Sequence, residues 1–207
     1  LSLIYGSTYQ GGTIFHLDLT TGYGLVTMTS EIWDVDPVYN TGNNYFAWGC
    51  GGYSGNITGT SDSIGSGKRN TQLIIDNCSE RPIAASLAKN ANAWGYTDWF
   101  LPSKDEALAM MNNTNIFANN DLIWTSSEEN SVNGSNGTLY AIRCGKTWSG
   151  IVYTDYVDKN NVERVYAVRE FNSSNSFTAT MPGTYYLTLT DSLGCSTTDS
   201  IHVDIYN

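Results

Sequence analysis

The sequence predicts an α+β fold in which antiparallel sheet dominates and the helices are few and short. Three observations lead there. Alternating apolar and polar runs occupy both ends of the chain, helical spacing is confined to its middle, and charged residues reach only 14% beside 41% hydrophobic and 13% aromatic. That charge content lies well below the roughly 25% of an average soluble domain. At 207 residues the chain can bury roughly 70% of the surface it exposes when unfolded, so a true core is expected. Few charges among many Tyr, Thr, Ser, Asn and Gly residues suit an extracellular, β-rich protein.

The elements follow in order. "YQGGTIFHLDLTTGYGLVTM", Tyr9 to Met28, alternates on both sides of a Thr-Thr-Gly turn and predicts a β-hairpin. From Glu31 to Lys68 the text becomes loop-like, with Asp, Asn, Gly and Ser around Trp33, Tyr39, Tyr45, Phe46 and Trp48. A loop of that length is expected to be pinned by its aromatics or to be functional. Leu73, Ile74 and Ile75, then Ile83, Ala84, Leu87 and Ala88, keep helical spacing either side of Pro82, which predicts two short helices or one interrupted helix. In "GYTDWFLPSKDEALAMMNN" Ser103 is a good N-cap with Glu106 three residues on, the pattern of a capping box. The carboxylates of Asp105 and Glu106 thereby have structural work at the positive end of a helix. "DLIWTSSEE", "GTLYAIRC", "TWSGIVYT" and "RVYAVREF" return to short alternating runs divided by Asn, Gly and Asp, the rhythm of an antiparallel sheet. After "NSSNS" the tail alternates around Pro182-Gly183 and Leu193-Gly194, predicting a separate sandwich-like hairpin unit. That unit is far shorter than the ~100 residues of an independent immunoglobulin-like sandwich.

Ten basic and twenty acidic residues give a net charge of −10. Nucleic acid and other polyanions are set aside as partners, because their binding needs Lys and Arg clusters that displace counterions. No stretch reaches the ~18 apolar residues of a membrane span, so membrane insertion is not expected. No signal peptide opens the chain at Leu1, and the expectation is that any export signal lies upstream. Cys50, Cys78, Cys144 and Cys195 lack the short paired spacing of a zinc site. In an oxidising compartment they allow three pairings, of which Cys50 with Cys78 is favoured because it closes a loop of moderate length.

Chemistry-bearing residues are sparse. Trp94, Trp99 and Trp124 invite a sugar-stacking reading, but aromatics in such positions assign Trp99 and Trp124 to the core. Asp98, beside Trp99, reads as a turn cap. Glu128 and Glu129 are adjacent, so on a strand they point to opposite faces and cannot form the facing carboxylate pair of a glycosidase. His16 and His202, the two histidines of the chain, lie in the first hairpin and the tail, and no nucleophile–histidine arrangement can be read around either. "IGSGKRN", Ile64 to Asn70, matches neither a phosphate loop nor a dinucleotide fingerprint and reads as a tight turn. Asp155, Asp158, Asn160 and Glu163 are hard oxygen ligands of the kind calcium prefers, although without helix-loop-helix spacing; "WDVD", Trp33 to Asp36, is a second calcium candidate. Ligand contact is expected on the loops from Glu129 to Asn136 and from Trp148 to Asp155. Glu129, Asn130, Asn133, Trp148, Tyr153 and Asp155 there combine aromatic anchors with adaptable polar groups. Asn133-Gly134-Ser135 is also a glycosylation sequon, which implies exposure.

Taken together, "YQGGTIFHLD…GYGLV", "IGSGKRNTQLII", "IAASLA", "GYTDWFLPSKDEALAMM", "IWTSSE" and "YAVREF" resemble the ordered signature of the bacterial Lcl C-terminal domain family, over about Tyr9 to Phe171. The resemblance implies an exported bacterial surface domain with a C-type lectin-like fold: short helices beside a twisted antiparallel sheet, with long loops forming a binding face. Members often carry a cysteine where this chain has Ala88. The tail is similar to the last strands of immunoglobulin-like or polycystic-kidney-type repeats of bacterial surface adhesins. Residues 1–8 would then supply a strand and linker of that module, 9–171 the lectin-like domain, and 172–207 the closing strands. Cys195 would pair with a cysteine upstream of Leu1, or else with Cys144.

The expected function is therefore a non-catalytic recognition module, secreted or on the bacterial cell surface. It would bind glycan or protein on a cell or surface, with neighbouring immunoglobulin-like repeats of its own polypeptide as further partners. The alternative is a structural spacer in a long surface filament, and a glycan-active enzyme is the third reading.

Overall fold

The computed structural model describes residues 3–33, 44–51, 57, 59–129, 140–173, 181–190 and 196–204. The chain forms two compact units, Leu1–Ser173 and Ser174–Asn207. The first is α+β, with three short helices and two sheets among its described residues. Its smaller sheet runs in the order β1 (Thr8–Tyr9), β2 (Gly12–Leu17), β3 (Tyr23–Thr27) and β9 (Val168–Asn172), all antiparallel. The predicted first hairpin is β2 with β3. Its turn is closed by Asp18, whose carboxylate accepts from the Thr20 and Thr21 hydroxyls. These hydrogen bonds hold Asp18 far below the usual carboxylate range.

The larger sheet has the order β4 (Tyr45–Ala47), β8 (Val162–Arg164), β5 (Leu122–Glu128), β6 (Tyr140–Lys146) and β7 (Val152–Asp158). Its neighbours are antiparallel except β5 and β8, which meet in parallel at Ile123 and Arg164. β8 leads directly through Val165–Ala167 into β9, so one stretch of backbone serves both sheets. Phe100 and Val168 exchange two backbone hydrogen bonds, 2.8 and 2.9 Å, where the helical segment meets that stretch.

The helices are α1 (Gly67–Asn77), α2 (Ala84–Asn90) and α3 (Lys104–Asn113). Pro82, in a cis peptide with Arg81, separates the first two, which settles the sequence alternative in favour of two helices. Ser103 caps α3 as predicted: its Oγ accepts from the Glu106 N–H, and the Glu106 carboxylate accepts from the Ser103 N–H at 2.7 Å. Glu106 does more than cap, because its other oxygen accepts from Gly65 at 2.8 Å and from Gly67 at 3.4 Å. "IGSGKRN" is thus a turn that leads into α1 and wraps a buried carboxylate.

Two apolar clusters fill this unit. One gathers Trp48, Trp99 and Trp124 with α1 and α2 residues such as Ile74, Ala84 and Ala88. The other packs Ala107, Met110 and Met111 of α3 against Phe15, Leu25, Phe100 and Ile123. Each large indole is fully buried and donates to a backbone carbonyl: Trp48 to Thr125, Trp99 to Tyr96 and Trp124 to Phe46. Full burial of an indole requires such a partner. The core assignment of Trp99 and Trp124 follows the sequence reading, and Leu3 packs against the same cluster.

Cys50 and Cys78 form a disulfide across 28 residues of sequence. Cys144 is instead a buried free thiol, 3.5 Å from the Met111 sulfur. Cys195 lies outside the described residues. The second unit contains the antiparallel hairpin β10 (Gly183–Thr190) and β11 (Ser196–Val203). Among the described residues no helix is long and apolar enough to cross a membrane.

Candidate functional site

The sequence places its ligand and metal candidates on β7, β8 and the turns around them, and the larger sheet decides which of them meet. Register puts Leu122, Gly145 and Tyr153 in one row across β5, β6 and β7, and Trp124, Arg143 and Asp155 in another two positions along, with Ile123, Cys144 and Thr154 between. Tyr153 lies over Gly145, where an added Cβ would fall 2.8 Å from the phenol ring. Arg143 is the hub of the second row. Its guanidinium donates to Asp155 on the adjoining β7 at 3.0 Å and, reaching across β5, to Glu163 on β8 at 2.6 Å.

A cleft of about 450 Å³ opens beside these rows, between β4, β8, the Ala118–Leu122 turn and the turn after β6. Trp148 and Tyr45 supply its aromatic faces, Asn119 and Asn120 its amides, and Asp121, Glu163 and Arg164 its charges. Trp148 is 78% exposed, a large cost for an indole unless something covers it in use. Its backbone is nevertheless anchored, since its carbonyl accepts from the Asn119 side chain at 3.0 Å. Asn120 takes a left-handed backbone conformation, φ 69°, and donates to the Lys146 carbonyl at 2.7 Å. The Asn side chain tolerates that region better than most.

The charges on the cleft floor are paired, although Arg164 Nε is buried without a hydrogen-bond partner among the described residues. Arg164 pairs with Asp121 and lies 3.6 Å from Glu31, and it stands over the Tyr45 ring at 5.5 Å. Asp121 also accepts from the Ala118 N–H at 2.8 Å, which fixes the turn that carries Asn119. The carboxylates are therefore held in place as acceptors by arginines, and Asp121 and Glu163 both reach this one cleft.

The calcium reading needs correction. Asp155 and Glu163 are spent on Arg143, and Asp158 closes a turn by accepting from the Asn160 N–H at 2.8 Å and its amide at 3.0 Å. The four predicted ligands stand on β7, β8 and the connecting turn, and β7 and β8 are separated by two intervening strands. Among the described residues, no cluster of three or more His, Cys, Asp or Glu side chains could hold a metal ion. Asp34, Asp36, Asn130 and Asn133 lie outside the described residues, and Glu129 is half-buried at the end of β5, where its N–H donates to Tyr140.

Asp98 is also corrected. Rather than capping a turn, it receives a two-pronged contact from Arg169, 2.8 and 3.1 Å, which lowers its pKa below the usual carboxylate value. Glu128 turns inward, where it meets Lys159 and accepts from the Ile57 N–H at 2.8 Å. Sequence reasoning missed Tyr45, Asn119, Asp121 and Arg164 as cleft residues. They are distant in sequence from Trp148, and only the β4–β8 pairing and the Asn119 contact bring them to it. No family model matches the chain, and no curated protein matches it in sequence.

Proposed function

We propose that this chain is a non-catalytic recognition module of a bacterial surface adhesin, with a C-type lectin-like fold, and that it binds glycan in the Trp148–Tyr45 cleft. The observation that carries the reading is the exposed Trp148, its backbone anchored beside amides and arginine-paired carboxylates. A pyranose offers an apolar face to stack on an indole and hydroxyls to pair with such groups, and pockets of this kind combine apolar walls with a few placed polar groups. Resemblance to the Lcl C-terminal domain family and to adhesin repeats supports placement outside the cell, and the disulfide fits an oxidising compartment.

A glycan array probed with the purified chain, with Trp148→Ala and with Tyr45→Ala tests the site. Selective signal is expected, weakened on the order of tenfold by either substitution. It is expected to survive chelation of divalent cations, because the candidate calcium oxygens are otherwise engaged. A blank array sinks the glycan reading and favours the spacer role in a surface filament. The presence of Asp121 and Glu163 in one cleft keeps a second, enzymatic reading in play: turnover of any array hit into a shorter glycan would replace recognition by hydrolysis.

A further inference from the structure

A second exposed indole stands on a different part of the first unit. Trp94 is 78% exposed and packs in neither apolar cluster, while its neighbours Ala93 and Tyr96 pack against the first. It occupies the first tip position of a two-residue turn closed by reciprocal hydrogen bonds between Ala93 and Tyr96, 3.1 and 3.0 Å. The tip residues Trp94 and Gly95 have φ of 56° and 81°, the mirror-image turn in which Asn or Gly is the favoured first residue. An aromatic residue there costs backbone free energy and, so far exposed, recovers little of it by burial. The fold would be served better by Asn.

The surroundings are built as well. Gly11 lies so close that an added Cβ would fall 3.0 Å from Trp94 Cβ and 2.8 Å from the Tyr96 ring. Gln10 and Gly11, φ 44° and 84°, are the tip of the β1–β2 hairpin, so two mirror-image turns with a non-glycine first residue meet at one spot. Such outliers persist where the surroundings over-determine them, and they concentrate at ligand sites. The element that fixes them is Arg169, buried, 3.9 Å above the Tyr96 ring. It donates to the Gln10 carbonyl at 3.0 Å and to both oxygens of the exposed Asp98 carboxylate.

We propose that Trp94 is the stacking platform of a second carbohydrate subsite, for a neutral pyranose, with the half-exposed Asp98 carboxylate, oriented by Arg169, as its polar group; the Gln10 amide is taken up by the Tyr9 hydroxyl and Arg169. A neutral ring is specified because Asp98 and the chain's net charge of −10 disfavour an anionic one. This inference stands apart from the Trp148 cleft, from which no residue is borrowed.

The test uses Trp94→Asn, which keeps the Cβ that packs on Gly11, suits the left-handed backbone and removes only the indole. Methyl pyranosides (glucoside, galactoside, mannoside and N-acetylglucosaminide) are titrated at millimolar concentration against the whole chain while the indole N–H resonances are followed by NMR. At least one sugar is expected to shift the Trp94 indole saturably, with Trp148→Ala leaving that response intact and Trp94→Asn abolishing its binding. Trp94→Asn is also expected to raise the melting temperature by a few degrees. Absence of a saturable Trp94 shift with every sugar overturns the proposal, and so does a lower melting temperature for Trp94→Asn, which would make the indole a brace. Loss of the Trp94 response in Trp148→Ala would also overturn it, by merging the two sites.

Discussion

Lys159 donates to Glu128 in the interior of the first unit, with both side chains sealed from solvent and the ammonium 4.7 Å from the Trp48 ring centre. Burial pulls the Lys159 pKa below its ordinary value, against the pull of Glu128 in the opposite direction. Taking two ions out of water costs several kcal/mol per ion before their attraction is counted, so the pair is stable only as a pair.

Lys159→Met should therefore destabilise the unit by roughly 3 to 5 kcal/mol, because it leaves a buried carboxylate without the ammonium. Adding Glu128→Leu should restore much of the loss. Urea denaturation of the single and double variants checks this; equal stability of Lys159→Met and the parent would show that the pair lies outside the cooperative core.

Gly67→Ala should be nearly as damaging as a core deletion. The added methyl would fall 2.2 Å from the Glu106 carboxylate and 2.8 Å from the Leu101 carbonyl, and neither can withdraw without breaking the cap. Overpacking of this kind costs about 1 to 3 kcal/mol. Thermal unfolding measures it, and Gly95→Ala, with open space around its Cβ position, separates steric cost from loss of glycine freedom.

Glu106 predicts a pH dependence. Burial raises its pKa, against the backbone N–H groups of Ser103, Gly65 and Gly67 that favour the ionised form. With the folded pKa above the unfolded one, the folded state binds the proton more tightly. Its contribution is then greatest below the ordinary carboxylate range and is lost as pH rises from there through the raised value. The stability of the parent minus that of Glu106→Gln should accordingly fall across that window. A difference that rises with pH would reverse the sign.

The two kinds of cysteine in the first unit should behave oppositely. Reducing the Cys50–Cys78 bridge removes a loop constraint worth about 3 to 4 kcal/mol on the chain-entropy account. The Cys144 thiol is pushed up to about 12 by burial, so it should resist iodoacetamide at pH 8 in the native chain and react once the chain is unfolded. Peptide mapping distinguishes the two; rapid native labelling of Cys144 would mean the α3 cluster opens readily.

Much of the fold was legible in the sequence because its signals are local. The Ser103–Glu106 cap, the β2–β3 hairpin around Thr20-Thr21-Gly22 and the break at Pro82 each rest on a few adjacent residues, and each appears where the pattern puts it. Trp148 could be singled out from its polar, aromatic neighbourhood. The rest of the cleft could not, because it depends on β8 lying between β4 and β5, a pairing of distant and very short strands. Asp98 was misread for the same reason: its partner Arg169 is 71 residues away, and nothing near Asp98 in sequence announces it. The calcium reading on β7 and β8 went astray because composition supplies oxygens but says nothing of the guanidinium that claims Asp155 and Glu163.

The smaller sheet has a mechanical consequence. β3 pairs with β9, Ser173 donates to Gly22 at 2.8 Å, and Gly6 donates to Ile14 on the adjoining β2, so the two ends of the first unit are clamped within a few strands of each other. Close ends are what allow a domain to be carried as an insertion. Residues 6 and 173 leave the antiparallel sheet toward the same end, so tension between them would peel β1 and β9 away strand by strand rather than shear them, and the Trp148 cleft, carried on the other sheet, would hang outside the line of force.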